Sequence, residues 1–169
     1  MSDRPLQVER LDEHHRFATF SCGNDQLDNW LHRHALAAQQ MNSARTFVLT
    51  RDQQVIGYFS LTMGSVLRQD APARLVRGLP GYPVGMVLLA RLAVQTTEQG
   101  NGFGGLLLAE ALRRAVAAGE AAAARLVVVD AIDDGAVAFY ERHGFTTAPE
   151  HPRRLYRRTK EIRASLDTT

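Results

Sequence analysis

The segment from residue 99 to residue 105 is the part of the sequence best suited to bind a ligand. It contains four glycines, Gly100, Gly102, Gly104 and Gly105. A glycine-rich turn that leads into a helix presents several backbone N–H groups in one direction, with no side chains in the path of a ligand. Linked phosphates are well held by such a turn. The segment therefore predicts a binding site for a diphosphate-containing cofactor.

The same glycines also fit a dinucleotide-binding turn. Gly100, Gly102 and Gly105 have the spacing G-x-G-x-x-G, and Asp130 lies about where an acidic residue would contact a ribose. Two observations weigh against this alternative. Residues 95–99 separate the first glycine from the preceding apolar run, whereas a dinucleotide turn follows its strand directly. In addition, the sequence after Gly105 is too short for the second half of a dinucleotide-binding fold.

The overall composition is that of a globular protein. With 169 residues, 45% of them hydrophobic and 22% charged, we expect a single domain over residues 1–169. The sequence begins without an apolar leader and its apolar runs are short, so we expect no membrane segment and a cytoplasmic location. Cys22 is the only cysteine, and His32 and His34 would lie on different faces of a helix. We therefore expect no disulfide and no metal site.

Positive charge is concentrated in two stretches of the sequence. The net charge is only +2, but all basic residues except Lys160 are arginines. Arginines gather at residues 68–77 and again at residues 153–163, where they outnumber nearby acids. Because arginine is suited to bidentate contacts with phosphate, these stretches are candidates for contact with a nucleic acid or with the phosphates of a cofactor.

The residues before the glycine turn predict one helix and four strands. Residues 6–11 can form the first strand, and residues 21–24 offer capping side chains for a helix. One face of that helix comprises Leu27, Trp30, Leu31, His34 and Ala38. Residues 46–50 and 55–66, joined by a polar turn at 51–54, predict a hairpin. Residues 68–83 contain three prolines and predict a surface loop, and the apolar residues 86–94 predict a central strand.

The residues after the glycine turn alternate between helix and strand. Residues 102–118 predict a helix that ends at Gly119. A buried parallel strand is predicted over residues 125–131, a short helix over 136–142 ending near Gly144, and the last strands from residue 145 onward, including 155–158. This order predicts an α/β fold with a mixed central β-sheet flanked by helices and a right-handed crossover around the glycine turn.

Two motifs make the sequence resemble the GNAT family of N-acetyltransferases. The first, Gln99-x-x-Gly102-x-Gly104, is similar to the pyrophosphate loop of that family. The second, Ala-Phe-Tyr-Glu-Arg-His-Gly-Phe at residues 138–145, is similar to the family's closing helix and turn. The motifs occur in the right order, with a valine-rich strand between them. The resemblance covers nearly the whole chain and implies the GNAT fold, with acetyl-CoA as co-substrate.

Further segments resemble the acetyltransferase toxins of bacterial toxin–antitoxin modules. These segments are residues 20–24, 27–31, 46–48, 56–61 and 88–94. This resemblance implies acetylation of the α-amino group of aminoacyl-tRNA, a block of translation, neutralisation by a ribbon-helix-helix antitoxin, and a homodimer. One departure is Gln99, which stands where many relatives have arginine. One charge-assisted contact with phosphate is therefore expected to be missing.

The resemblance also implies roles for individual residues. Backbone groups of Leu92, Ala93 and Val94 are expected to hold the pantetheine arm and orient the thioester carbonyl. The remaining cofactor-binding residues are expected to be Gln99, Gly100, Asn101, Gly102, Phe103, Gly104, Gly105 and Phe139. Tyr140 is the expected general acid, because the family places a tyrosine hydroxyl near the CoA sulfur, and a phenol with a pKa of about 10 stays protonated at neutral pH.

If the acceptor is an aminoacyl-tRNA, the surface must also bind the phosphate backbone of the tRNA. A tRNA needs arginines on the face that contains the amine entrance. The candidates are Arg77, Arg91, Arg142, Arg153, Arg154, Arg157 and Arg158. Two other functions remain open at this point. A metabolic or protein N-acetyltransferase would accept a small amine or peptide without tRNA, and a non-catalytic module would bind CoA without turnover.

Overall fold

The computed structural model describes residues 5–167, which form seven strands and six α-helices. The strands are β1 (Leu6–Arg10), β2 (Arg45–Arg51), β3 (Gln54–Val66), β4 (Val84–Val94), β5 (Leu126–Asp130), β6 (Thr146–Ala148) and β7 (His151–Arg158). The helices are α1 (Asp25–Arg33), α2 (Ala35–Gln40), α3 (Ala73–Val76), α4 (Phe103–Ala122), α5 (Asp134–Arg142) and α6 (Thr159–Leu166). Short 3₁₀ turns occupy Arg68–Asp70 and Thr96–Glu98.

The strands form a mixed sheet in the order β1-β2-β3-β4-β5-β7-β6. β4 and β5 are parallel, whereas β1 with β2, β2 with β3, β5 with β7 and β6 with β7 are antiparallel. The predicted α/β class is therefore confirmed. The antiparallel pairing of β5 with β7 is inconsistent with the parallel sheet of the dinucleotide-binding alternative.

Within the described residues, the chain divides into two compact units. The first unit comprises residues 5–62 and 90–111, and the second comprises residues 63–89 and 112–167. The organisation of residues 1–169 as a single domain stays a prediction.

The first unit contains the predicted hairpin. Arg51 pairs with Gln54, and the two residues between them, Asp52 and Gln53, have φ values of 53° and 64°. Paired positive φ values are typical of tight hairpin turns whose twist matches that of the strands. The hairpin prediction is confirmed. In the core of this unit the helices pack on the hairpin through a set of buried residues that includes Phe20, Leu27, Leu31, Val48 and Tyr58.

The helix predicted from residue 27 to residue 38 is instead two helices. α1 ends at Arg33 and α2 begins at Ala35, with His34 between them at φ −123° and ψ −29°. The predicted continuous helix face from Leu27 to Ala38 is therefore interrupted at His34, which is exposed. An exposed polar residue can leave helical geometry without removing a side chain from the core.

The second unit buries a segment that was predicted to be only a surface loop. Within residues 68–83, α3 places Leu75 and Val76 in a core with Val128 and Tyr156. The loop prediction is wrong for these residues, because two apolar side chains separated from other apolar runs carry too little periodicity to indicate a helix of one turn.

The end of α4 also differs from the prediction. The helix continues through Gly119 to Ala122, and Ala123 takes the left-handed conformation with φ 61°. Gly119 has a packing role instead, since a Cβ there would lie 3.0 Å from the Ala124 carbonyl oxygen. α6, which buries Ile162, was not predicted from the sequence. None of the helices within residues 5–167 is long and apolar enough to cross a membrane.

Candidate active site

The glycine turn has open space at the two positions where its backbone is left-handed. Gly100 and Gly102 have φ values of 84° and 82°, and a Cβ at either position would meet no atom within 4 Å. α4 begins directly afterwards, and its first backbone bond runs from the Leu106 N–H to the Gly102 carbonyl at 3.2 Å. The N–H groups of Phe103, Gly104 and Gly105 precede that bond and have no partner within the helix. The turn thus offers the donors and the space that a diphosphate requires.

The Gln99 side chain fastens this turn to the rest of the first unit. Its Nε2 donates to the Cys22 carbonyl at 2.9 Å and to the Val94 carbonyl at 2.8 Å. Nearby, the Thr96 N–H donates to the Ser21 carbonyl at 2.8 Å. The side-chain amide of Gln99 is therefore engaged by backbone carbonyls, and the turn is left to meet phosphate with backbone groups.

The end of β4 packs closely against its neighbours. Ala93 is buried and Leu92 and Val94 are half-buried. A Cβ on Gly57 of β3 would lie 3.2 Å from the Ala93 carbonyl oxygen and 2.7 Å from Leu107 Cδ1 of α4. The absence of a side chain at Gly57 allows β3, β4 and the first turns of α4 to approach one another. The strand expected to hold the pantetheine arm is thus packed against both neighbouring elements.

Arg91, on β4 just before this segment, is held by an aromatic side chain of α1. The Arg91 guanidinium carbon lies 3.9 Å from the centroid of the Trp30 ring, a cation–π distance. The Trp30 ring in turn stacks on Tyr58 at 6.1 Å, and the Tyr58 hydroxyl donates to the Leu27 carbonyl at 2.7 Å. Burial lowers the pKa of Arg91 from its ordinary value. One face of this guanidinium is therefore covered by α1, and its contact with tRNA stays a prediction.

Tyr140 lies in the second unit, near the end of α5. Asp133 caps the start of the helix by accepting the Ala136 N–H at 2.8 Å. The Tyr140 side chain is 6% exposed and meets the rings of Phe139 and Phe145 edge-on, at centroid distances of 5.2 and 5.8 Å. Burial raises the pKa of Tyr140 well above that of an ordinary phenol. The hydroxyl is consequently a proton donor throughout the neutral range.

Three of the seven predicted phosphate-binding arginines are engaged with other groups of the protein. Arg154 makes a bidentate pair with Asp130, at 2.7 and 3.0 Å. Arg158 donates to Glu161 at 2.7 Å. Arg157 donates to the His143 carbonyl at 3.0 Å. The contacts of Arg154 and Arg157 could not be predicted from the sequence, because Asp130 and His143 are distant along the chain, whereas Glu161 is only three residues from Arg158.

The other four predicted arginines differ from one another. Arg77 and Arg142 are exposed, and Arg153 lies 3.6 Å from Asp134, a fully solvated carboxylate. Arg91 is stacked on Trp30, as described above. An exposed ion pair such as Arg153–Asp134 contributes little to stability, and its arginine can readily bind another anion instead. Arg77, Arg142 and Arg153 therefore keep their charge available to a ligand, although their contact with tRNA stays a prediction.

The residues whose carbonyls hold the segment leading into the glycine turn could not be predicted from the sequence. Ser21 and Cys22 accept hydrogen bonds through their backbone carbonyls, which every residue has, so the residue type does not indicate this role. The Cys22 N–H is itself fixed by Asp28 Oδ1 at 2.8 Å, and burial raises the pKa of its thiol to about 11. Among residues 5–167, no group of three histidine, cysteine, aspartate or glutamate side chains is arranged to hold a metal ion.

The fold and the glycine turn together define an acetyltransferase. The model of the acetyltransferase (GNAT) family matches residues 9–145, and the chain belongs to this family. A tRNA-acetylating toxin of Mycobacterium tuberculosis (strain ATCC 25618 / H37Rv) is 39% identical over 162 residues, which cover 96% of this chain and 95% of that protein. The predicted family and fold are confirmed.

Two solved structures show the same likeness. One is AtaT complexed with acetyl-methionyl-tRNAfMet, with a TM-score of 0.88, 27% identity, and coverage of 96% of this chain and 99% of that chain. The other is a tyrosine-to-phenylalanine mutant of the AtaT toxin bound to the C-terminus of the antitoxin AtaR. It has a TM-score of 0.82 and 26% identity, and covers 95% of this chain and 97% of that chain.

Proposed function

We propose that this acetyltransferase is a toxin that transfers acetyl from acetyl-CoA to the α-amino group of aminoacyl-tRNA and thereby blocks translation. The observation that carries the proposal is the glycine turn, where open space above Gly100 and Gly102 adjoins the first N–H groups of α4. The choice of acceptor is supported by the likeness to a tRNA-acetylating toxin and to AtaT in its complex with an acetylated aminoacyl-tRNA.

The residues of the first unit would hold the co-substrate. The amides of residues 100–105 would bind the pyrophosphate, and the backbone of Leu92, Ala93 and Val94 would bind the pantetheine arm. Acetyl-CoA supplies an acyl group activated as a thioester. An aminoacyl ester has an α-amine with a pKa low enough for a neutral fraction near pH 7, so the acceptor can attack without a strong base.

Tyr140 is proposed to be the general acid. The amine nitrogen forms a bond to the thioester carbonyl carbon; when this tetrahedral adduct collapses, the C–S bond breaks and the phenolic proton passes from Tyr140 to the departing thiolate. The surplus proton of the amine is lost to solvent as the amide forms, and the phenol regains a proton from solvent. Because burial raises the pKa of Tyr140, the proton is present on the hydroxyl at the start of each cycle. Phe139 and Phe145 restrict the ring on two edges, which favours a fixed direction for the donor.

The proposal includes partners. A ribbon-helix-helix antitoxin would neutralise the enzyme, in keeping with the AtaT toxin bound to the antitoxin AtaR. We further propose a homodimer, a single domain over residues 1–169, no requirement for a metal, and action in the cytoplasm, where aminoacyl-tRNA is used. Arg77, Arg142 and Arg153 are the proposed phosphate contacts, because their charges are the most accessible of the set.

The decisive experiment follows radiolabelled acetyl from acetyl-CoA into a panel of acceptors. The panel contains aminoacyl-tRNA, deacylated tRNA, free amino acids and a peptide, and a cell-free translation reaction is run with and without acetyl-CoA. We expect label only on aminoacyl-tRNA, and translation arrest only when acetyl-CoA is present. Label on the peptide or on a free amine, with no label on tRNA, would instead indicate a metabolic or protein N-acetyltransferase. Binding of acetyl-CoA without transfer to any acceptor would indicate a non-catalytic module.

A further inference from the structure

The guanidinium of Arg157 lies against the turn that ends α5. Its Nη1 donates to the His143 carbonyl at 3.0 Å. The planar group also fills the space above Gly144, because a Cβ there would lie 3.0 Å from both Cζ and Nε of Arg157. Gly144 has a φ of 89°, which a residue with a side chain rarely adopts. Arginine and glycine thus fit together at the helix end.

The turn that Arg157 contacts ends α5, and its hydrogen bonds are accepted by the carbonyls of Tyr140 and Glu141. The Phe145 N–H donates to the Tyr140 carbonyl at 3.1 Å, and the Gly144 N–H donates to the Glu141 carbonyl at 3.1 Å. This pair of bonds is the Schellman arrangement, with Phe145 packed on Tyr140 as its apolar contact. His143 contributes as well, with Nδ1 2.8 Å from the Phe139 carbonyl oxygen.

Arg157 also supplies the charge that a helix end favours. The last carbonyls of a helix carry partial negative charge, which a nearby cation stabilises. Asp133 caps the start of α5, so both ends of this short helix are fixed. Burial lowers the pKa of Arg157, in keeping with a guanidinium withdrawn from solvent. A side chain placed in this way has little freedom to reach an external phosphate.

We infer that Arg157 is a positioning residue for Tyr140, acting by clamping the Schellman turn of α5. The inference rests on the proposed role of Tyr140 as general acid. It replaces the expectation that Arg157 contacts tRNA. Loss of the clamp should let the last turn of α5 fray and move the phenol away from its working position, while the amides of residues 100–105 keep their geometry.

The test compares Arg157→Gln and Arg157→Lys with the wild-type enzyme. A control is Arg163→Gln, because Arg163 of α6 pairs with Glu120 near the C-terminal end of α4, at the opposite end of that helix from the glycine turn. We expect Arg157→Gln to lower kcat about ten- to a hundredfold, the range that a misplaced catalytic group produces. The KM for acetyl-CoA should stay nearly constant. Lysine can restore one donor to His143, so Arg157→Lys should recover part of kcat.

Two further measurements separate positioning from general weakening of the fold. In a Tyr140→Phe background, Arg157→Gln should lower kcat no further, because residues that act as a unit are non-additive. The chain has four tyrosines, so 3-fluorotyrosine labelling gives a simple ¹⁹F spectrum in which Tyr140→Phe identifies the Tyr140 signal. That signal should shift in Arg157→Gln and remain in place in Arg163→Gln.

Each alternative outcome has a distinct signature. A raised KM for aminoacyl-tRNA with unchanged kcat and an unshifted Tyr140 signal would make Arg157 a tRNA contact and overturn the inference. Additive loss of kcat in the double variant would also overturn it. If the wild-type enzyme acetylates no aminoacyl-tRNA, the proposed function fails. The ¹⁹F signal would still report whether Arg157 fixes Tyr140, because that measurement needs no turnover.

Discussion

The Tyr140 phenol is enclosed by aromatic edges, and this burial determines how its chemistry should respond to pH. Burial raises its pKa, so the protonated form that a general acid needs persists beyond the ordinary phenol value of about 10. Turnover should therefore show no loss attributable to this group between pH 7 and pH 9. A loss within that range that is absent from the residual turnover of Tyr140→Phe would show that Tyr140 itself titrates there.

Replacing Tyr140 with phenylalanine removes the proton and keeps the ring. We expect kcat to fall about 100- to 10,000-fold, the usual contribution of a positioned acid. The dissociation constant for acetyl-CoA, measured by calorimetry, should change by less than about twofold, because the donors for the phosphates are backbone groups. Full turnover in Tyr140→Phe would remove this residue from the mechanism.

Gln99 has a role that differs from that of the arginine it replaces. Its amide donates to two carbonyls, of Cys22 and Val94, so Gln99→Leu removes two bonds that hold the glycine turn. At about 1 kcal/mol for each bond, we expect acetyl-CoA binding to weaken about ten- to thirtyfold, as measured by calorimetry. Gln40→Leu, at an exposed position of α2, is the control. Equal affinities for the two variants would show that the turn is independent of this tether.

The position of the glycine turn at the start of α4 could be predicted from the sequence, because it depends on residues close together in the chain. The role of Tyr140 stays a prediction. The partners of the arginines could not be predicted. Arg154 meets Asp130, and Arg157 meets the carbonyl of His143, only after β5, α5 and β7 have come together. Long-range pairing of this kind removes charge from a patch that is basic in the sequence.

Gly57 illustrates how one residue determines the spacing of three elements. In Gly57→Ala the new Cβ would approach Leu107 Cδ1 to 2.7 Å and the Ala93 carbonyl oxygen to 3.2 Å. We expect the free energy of unfolding, measured in urea, to fall by about 1–3 kcal/mol through overpacking. In Gly81→Ala the Cβ would meet nothing within 4 Å, so this control should change stability by less than about 0.5 kcal/mol. Equal stabilities would mean that the packing around Gly57 can relax.

The elements themselves were predicted to different degrees. β2, β3 and β4 follow from apolar runs bounded by polar turns, and their positions agree with the prediction within two residues at each end. The break at His34 and the short helix α3 were not predicted. Each involves about one helical turn, which is too short to alter or establish a recognisable spacing of apolar residues. The end of α4 was misplaced because Gly119 looks like a helix terminator but serves close packing with Ala124.

For the molecule as a whole, acid stability should depend in part on Glu161. Hydrogen bonds from Arg158, and secondarily from Arg74, lower the pKa of Glu161 in the folded state. A carboxyl whose folded pKa is depressed stabilises the fold above its unfolded pKa of about 4.3, and this stability is lost as the pH falls through the folded value. The carboxylate is about one-third exposed, so solvent weakens the effect.

The corresponding variant is Glu161→Gln, studied by urea unfolding from pH 7 down to pH 3. We expect the variant to be less stable than the wild type at pH 7 and the difference to shrink as the pH falls below about 4.3. Asp167→Asn, near the end of the described chain and exposed, is the comparison. If the difference in unfolding free energy stays constant from pH 7 to pH 3, titration of Glu161 does not contribute to acid stability.

The neutral side chain at position 99 has a consequence for how two polyanions would be distinguished. If uncharged amides bind the diphosphate, binding releases few counterions, and the affinity for acetyl-CoA should vary little between low and moderate ionic strength. A tRNA held by arginines such as Arg77 and Arg142 should be released steeply as salt is added. Raising the ionic strength would then dissociate the acceptor tRNA from the enzyme while acetyl-CoA, the acetyl donor, stays bound.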